Sequence, residues 1–156
     1  MFQQIANSVT LVIAFAVAVI AFLQFKVAHD KLRLDLFDRR YKVYDATRRF
    51  LSVIAKPERF EDSFLAEFYA ATSDATFLFD TDVSEYLQQI RERAVYMRLQ
   101  DTFYQSKQGD NRPGIIDPVN KDRVWISEQL AGVTKVFTPY LSYAKIKGNF
   151  FEDLIK

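Results

Sequence analysis

The chain has 156 residues, enough for one domain of ordinary size, and its 21 Lys and Arg nearly balance its 20 Asp and Glu. This balance lacks the excess of positive charge that nucleic-acid-binding domains show, so we expect no nucleic-acid partner. The absence of cysteine excludes disulfides, thiolate metal sites and cysteine nucleophiles, and a single histidine excludes a multi-histidine metal site.

The first predicted element is a membrane span. Every residue from Val9 to Leu23 is apolar except Thr10, and no charged residue occurs before Lys26. About 20 residues of helix cross a bilayer, so the segment is long enough. We predict a transmembrane anchor over residues 1–28 and a helical cytosolic domain over residues 29–156.

A cleaved signal peptide and a buried helix of a soluble protein are the alternatives for this segment. A signal peptide needs a basic region before its apolar run, and "MFQQIANS" contains none. Nine Lys and Arg lie within residues 26–56, on the C-terminal side of the span. The positive-inside tendency therefore predicts an inner (cell) membrane protein, single-pass, with its N-terminus outside and its C-terminal domain in the cytoplasm.

The basic residues that directly follow the span are candidate contacts for membrane lipid headgroups, because anionic headgroups attract juxtamembrane Lys and Arg. These residues are Lys26, Lys31 and Arg33.

The next stretch, "KLRLDLFDRRYKVYDATRRFL", begins with the alternation of a strand and continues with the period of a helix. Helix is favoured because few of its residues are β-branched and because no Gly or Pro occurs from Phe2 until Pro57. Acid-first pairs four residues apart, such as Asp45 and Arg49, also support a helix. We expect this helix to end near Ala55.

Two apolar stripes run along this helix. One contains Leu32, Leu36 and Val43, and the other contains Leu34, Phe37, Tyr41 and Tyr44. One stripe can pack on the chain's own domain, while the second is a candidate contact with another copy or with an unidentified protein partner. The alternative is that both stripes are covered within the chain.

Three more helices are predicted. Residues 61–79 carry apolar side chains at helical spacing, and a further helix begins at Thr81 or Asp82. Residues 107–120 read as a loop, and the last helix follows it, with a kink or restart at Pro139 and an end at Gly148. The expected inner faces are Val83, Tyr86, Leu87, Ile90, Ala94 and Met97, and then Val124, Ile126, Leu130, Val133, Phe137 and Leu141. The fold class is therefore all-α, with an N-terminal transmembrane helix and a cytosolic bundle of about four helices.

No specific catalytic set is found, so we expect neither an enzyme nor a cofactor. Asp80, Asp82 and Glu85 offer oxygen ligands for a cation, but acids at a helix start more often cap the helix. Two arginine pairs, Arg39–Arg40 and Arg48–Arg49, offer phosphate or lipid contacts, although a solvated, ion-paired helix face is the simpler interpretation. Trp125 is expected in the core.

The segments "KLRLDLFDRR" and "DATFLFDTD" resemble a group of uncharacterised bacterial single-pass membrane proteins with a KLRLDLF-(D/E)-(R/K)-R juxtamembrane helix. The resemblance covers most of the chain. It implies an architecture only, because the shared motifs carry no known chemistry.

Two functions fit these patterns. The first is a membrane-anchored interaction protein that self-associates through helices. The second is an oligomeric membrane effector that forms a pore or perturbs the bilayer, as toxin-like and anti-phage proteins do. An aqueous pore usually needs polar residues along the span, and the centre of this span is entirely apolar, which favours the interaction protein.

Overall fold

The computed structural model describes residues 2–56, 60–106 and 116–142, and most of these residues are helical. The helices are α1 (Phe2–Ile54), α2 (Asp62–Ala71), α3 (Ala75–Leu78), α4 (Thr81–Ser106) and α5 (Ile116–Leu141). No strand occurs in the three described ranges. The all-α class is confirmed, with a long apolar helix at the N-terminus followed by a helical bundle.

Helix α1 is 53 residues long and contains the whole of the strand-like segment "KLRLDL". The absence of Gly and Pro explains its continuity, and it ends at Ile54, close to the predicted end at Ala55. The chain divides into two compact units, Met1–Leu36 and Phe37–Lys156. The sequence had placed its boundary earlier, between residues 28 and 29.

The N-terminal unit exposes the apolar side chains of α1. The described large side chains from Leu11 to Phe25 are all exposed, and an 18-residue window here has a mean hydropathy of 2.4 with none of it buried. By length and composition this part of α1 can cross a membrane.

The C-terminal unit builds its own apolar core, with α4 in contact with α2, α3 and α5. The predicted inner face of α4 is confirmed, since five of its six residues are buried and Tyr86 is half-buried. Other elements supply the rest of the core: Val43, Phe50, Leu51, Ile54, Phe60, Phe68, Ala75, Phe79, Ile126, Val133 and Phe137.

Aromatic side chains join elements that are far apart in sequence. Phe50 of α1 stacks face to face on Phe68 of α2, with ring centroids 4.3 Å apart. Phe79, just after α3, meets Phe137 of α5 edge to face at 5.3 Å. Such pairs stabilise a core beyond the apolar area that they bury.

The single helix predicted over residues 61–79 is wrong, because a turn at residues 72–74 separates α2 from α3. Thr72 is buried there, and its Oγ1 donates to the Phe68 carbonyl at 2.7 Å. Arg91 Nη2 of α4 donates to the Thr72 carbonyl at 2.9 Å. That carbonyl therefore accepts from α4 as well as from the Ala75 N–H, at 3.3 Å, at the start of α3.

Helix α5 corrects two expectations, its start and its inner face, and decides one half of a third. It begins at Ile116, inside the predicted loop, and it continues through Pro139 to Leu141, which excludes the restart and leaves the kink a prediction. Thr138 is therefore inside the helix, where its Oγ1 donates to the Thr134 carbonyl at 2.7 Å. The exposed Val124 does not belong to the inner face. The predicted end at Gly148 and the apolar tail lie outside the described residues.

Candidate interaction site

The predicted contact stripe on α1 is partly exposed in the single chain. Leu34 and Tyr41 are 57% and 48% exposed, whereas Phe37 and Tyr44 are half-buried. The rings of Phe37 and Tyr41 stack with centroids 6.1 Å apart, and Tyr41 is 5.8 Å from Tyr44. The helix therefore carries a short row of neighbouring aromatic rings.

Tyr44 is the member of this stripe that its own domain uses. Its ring centroid lies 5.5 Å from that of the buried Phe137, and its hydroxyl is hydrogen-bonded to Thr134 Oγ1 at 3.1 Å. Each of the two expectations for the stripe, contact with a partner and coverage within the chain, therefore fits a different part of the helix. Tyr44 is covered within the chain, while Leu34 and Tyr41 present apolar surface to their surroundings.

The other stripe enters the core later than expected. Val43 is 2% exposed and belongs to the core, but Leu32 and Leu36 of the same stripe are 59% and 39% exposed. Both exposed leucines belong to the N-terminal unit, which ends at Leu36. Packing on the chain's own domain therefore begins after them.

The three candidate headgroup contacts are the first cations after the apolar run. Lys26 and Lys31 are exposed, and Arg33 is half-buried. His29 lies between them and is half-buried, with its ring 6.3 Å from that of Phe25. This position gives the histidine a packing role at the end of the apolar run.

Arg40 does not lie on a solvated helix face, and this corrects the sequence interpretation. Its Nε donates to the Leu78 carbonyl at 2.8 Å, and its guanidinium lies about 6 Å from the rings of both Phe79 and Tyr140. An arginine in this arrangement gains both a hydrogen bond and cation–π attraction. Arg40 therefore fastens α1 to the end of α3 and to α5.

Two of the carboxylates at the start of α4, Asp80 and Asp82, are hydrogen-bonded by Tyr140. Tyr140 Oη donates to Asp82 Oδ1 at 2.6 Å and to Asp80 Oδ2 at 3.1 Å. Because the neutral phenol is the donor, these bonds, chiefly the one to Asp82, raise the pKa of Tyr140. Among the described residues, no group of three or more His, Cys, Asp or Glu side chains is placed to hold a metal ion.

Three further arginines of α4 bind within the domain, a role that the sequence did not reveal. Arg91 contacts Thr72 and lies 5.1 Å from the Tyr69 ring centroid. Arg93 Nη1 donates to Asp122 Oδ1 at 2.8 Å, with its guanidinium 4.2 Å from the Trp125 ring. Arg98 Nε donates to Asp62 Oδ1 and lowers the pKa of that carboxyl group.

Trp125 is half-buried and packs against the core, as expected of a structural residue.

A cleft of about 470 Å³ lies between α1 and α2. The stacked Phe50 and Phe68 contribute to its lining, and so do side chains of both charge signs, including Arg49 and Glu67. Arg49 is bound to Asp45 at 2.7 Å. Ser52 also lines the cleft. Its hydroxyl donates to the Arg49 carbonyl at 2.7 Å, whereas a serine nucleophile would donate to a general base.

Comparison with protein-family models, curated proteins and solved structures finds no match to this chain. The resemblance to the bacterial membrane proteins therefore stays a prediction from the sequence.

Proposed function

We propose that this chain is a membrane-anchored interaction protein that self-associates through α1 and carries a helical bundle at the membrane surface. The observation that carries the proposal is the exposed apolar run of α1, immediately followed in sequence by a unit with its own buried core. A bundle that is already packed does not need this run for its own stability. The run therefore has a role outside the bundle.

A lipid environment accounts for the run energetically. Each Leu, Ile, Val or Phe near the centre of a span favours insertion by roughly 0.3–0.6 kcal/mol, and about a dozen such residues lie here. The helix satisfies its own backbone hydrogen bonds, as any segment in hydrocarbon must.

The charges give the proposed orientation. The basic residues lie C-terminal to the span, so the bundle is proposed to lie in the cytoplasm and the N-terminal side of the span to face outward. Lys26, Lys31 and Arg33 would then lie near the headgroups of the inner membrane surface.

The apolar centre of the span supports a tether over an aqueous channel. Polar residues lie only towards its two ends, with Gln24 near the C-terminal one, and Ala, Val, Ile, Leu and Phe occupy the middle. The membrane-effector function would need the first helices of several copies to line a path or to disturb the bilayer. That function stays the alternative, and a measurement of ion flux distinguishes it from the tether.

Alkaline carbonate extraction of membranes tests the anchor. We expect the full chain to stay with the membrane pellet, and a variant carrying Val17→Lys and Ile20→Lys to be released. Each central Lys disfavours insertion by roughly 2.5–3.5 kcal/mol. Release of the unmodified chain would contradict the proposal.

Light scattering of the detergent-solubilised full chain tests self-association. A discrete oligomer supports the interaction function, and a monomer contradicts that part of it. Ion flux in liposomes that contain the oligomer would favour the membrane effector, whereas tight liposomes would favour the tether.

A further inference from the structure

The row of aromatic rings on α1 extends beyond the point where α5 covers it. Tyr44 packs on Phe137 of α5, with ring centroids 5.5 Å apart. Tyr41 lies 5.8 Å from Tyr44, and Phe37 lies 6.1 Å from Tyr41. Phe137 is fully buried, whereas Tyr41 is 48% exposed and Phe37 is half-buried. The contact between α1 and α5 therefore stops part of the way along a continuous row of rings.

The contacts between the two helices show where the chain leaves α5. Phe137 contacts Tyr44, whereas Tyr140, three residues later, lies against Arg40, four residues earlier on α1, at 5.8 Å. Because the contacts on α1 move to lower numbers as those on α5 move to higher ones, the helices are antiparallel here. The chain that leaves α5 at Leu141 therefore starts beside Arg40, at the open part of the row.

The residues that follow Ser142 have the composition and the length to cover the open rings. Residues 143–151 lie outside the described residues, and their sequence is "YAKIKGNFF", in which five of nine side chains are apolar or aromatic. From Arg40 to Phe37 the row extends over about 4.5 Å of helix. Each residue of extended chain spans up to roughly 3.3–3.6 Å, so a few residues are enough to reach both rings.

The covalent link favours this segment over a separate molecule. A second copy has to be brought to the row from elsewhere, whereas Tyr143 is only two residues from the end of α5. A short flexible connection gives an effective concentration on the order of millimolar, and the entropic cost of closing a short loop is low. The chain's own segment therefore competes well for these rings.

We propose that residues 143–151 of the same chain lie over Phe37 and Tyr41 and so continue the contact between α1 and α5. This inference goes beyond the proposed function and does not rest on it, because self-association can use the apolar run of α1. A partner that binds Tyr41 would first have to displace this segment.

Thiol alkylation of the full chain in detergent tests the cover, because the chain has no cysteine of its own. Tyr41→Cys reports on the row, and Tyr96→Cys is the matched control, since Tyr41 and Tyr96 are 48% and 46% exposed. Tyr96 is about 22 Å along α4 from the start of that helix, where Tyr140 makes its contacts. Each variant is also made with Ile146→Asp and Phe150→Asp, which place charges in the proposed cover.

We expect a charged maleimide to react with Tyr41→Cys several-fold more slowly than with Tyr96→Cys. The two Asp substitutions should raise the rate at Tyr41→Cys several-fold and leave the rate at Tyr96→Cys unchanged. An unchanged rate at Tyr41→Cys would overturn the proposed cover, and so would an equal rise at both positions.

Disulfide formation tests the same contact without charged substitutions. Tyr41→Cys is combined in turn with Tyr143→Cys, Ile146→Cys or Phe150→Cys, and the same three are combined with Tyr96→Cys. Oxidation of dilute full-length protein should close a disulfide within one chain for at least one Tyr41→Cys pair, several-fold more efficiently than for its Tyr96→Cys counterpart. The reason is that a disulfide needs the two Cβ atoms within about 4.5 Å.

A disulfide within one chain consumes both thiols and leaves a monomer on a non-reducing gel. Disulfide-linked dimers in its place would mean that a second copy covers the row, which would overturn the inference. Equal closure with Tyr41→Cys and Tyr96→Cys, or no closure in any pair, would overturn it as well. Light scattering of the unmodified chain decides self-association separately, so the two proposals can fail independently.

Discussion

The two units of the chain treat the same kinds of side chain in opposite ways. Phe15 is 73% exposed in the N-terminal unit, whereas Phe137 is 0% exposed in the C-terminal unit. A buried phenylalanine is removed from water by its neighbours, and an exposed one needs another apolar environment to achieve the same. The bundle therefore makes its own apolar environment from residues distant in sequence, and α1 before Lys26 requires one from outside the chain.

The largest effect should come from truncating the same residue type in the two units. Phe137→Ala should lower the free energy of unfolding of the bundle by about 3–5 kcal/mol, because it leaves a cavity against Phe79 and Tyr44. Phe15→Ala is the matched control and should leave bundle stability unchanged. Urea unfolding in mild detergent, followed by the fluorescence of the single tryptophan, Trp125, measures both. A loss with Phe15→Ala as large as that with Phe137→Ala would break the distinction between the units.

A smaller loss should follow removal of the arginine that holds the turn between α2 and α3. Arg91→Ala removes the charged Nη2 donor from the carbonyl of the buried Thr72, which keeps only the Ala75 N–H at 3.3 Å, so we expect about 1–3 kcal/mol of destabilisation. Arg48→Ala, at an exposed position of α1, should change stability by no more than about 0.5 kcal/mol. The same urea titration compares them. Equal values for the two variants would mean that the α4 contact does not hold the turn.

The pH dependence of stability should also distinguish the two units, because the bundle desolvates only the groups that lie inside it. Burial raises the pKa of Tyr86 from 10.0 to about 12. A pKa raised in the folded state contributes stability that is fully present below pH 10 and is lost as the pH rises through about 12. Tyr86→Phe should therefore lose less stability than the unmodified chain over this window, as urea midpoints at several pH values will show. If the urea midpoints of the two proteins fall in parallel as the pH rises, the Tyr86 phenol is not desolvated in the bundle.

The smallest effect is expected at the surface of the bundle. The Arg98 hydrogen bond lowers the pKa of Asp62, so this contact contributes above the usual pKa of 3.8 and is lost as the pH falls. Asp62→Asn should shift the urea midpoint slightly at neutral pH, and less in acid. Asp74→Asn, another exposed carboxylate, is the control. A shift at Asp62 that persists unchanged in acid would argue against the ion pair.

Much of the fold follows from local pattern. The continuity of α1, its end before Pro57 and the inner face of α4 were predictable, because they depend on spacing within one segment and on the absence or presence of Pro and Gly. The apolar run was equally plain, since hydropathy is a property of composition. For the candidate contact stripe, the sequence predicted which residues share a face but not which of them the domain itself covers.

What the tertiary structure decided depends on partners that are distant in the chain. Arg40 binds a carbonyl 38 residues away, Arg91 binds Thr72 19 residues away, and Tyr44 meets Thr134 across 90 residues. The sequence around an arginine or a tyrosine is the same whether its side chain faces solvent or bonds to another helix. The spacing of residues therefore does not reveal the partner. The sequence by itself determined that α1 is one helix with an apolar N-terminal part and two stripes. Only the packing of the bundle decided that the contact stripe is covered at Tyr44 and exposed at Leu34 and Tyr41, because the burial of a side chain depends on what the other helices bring to that face.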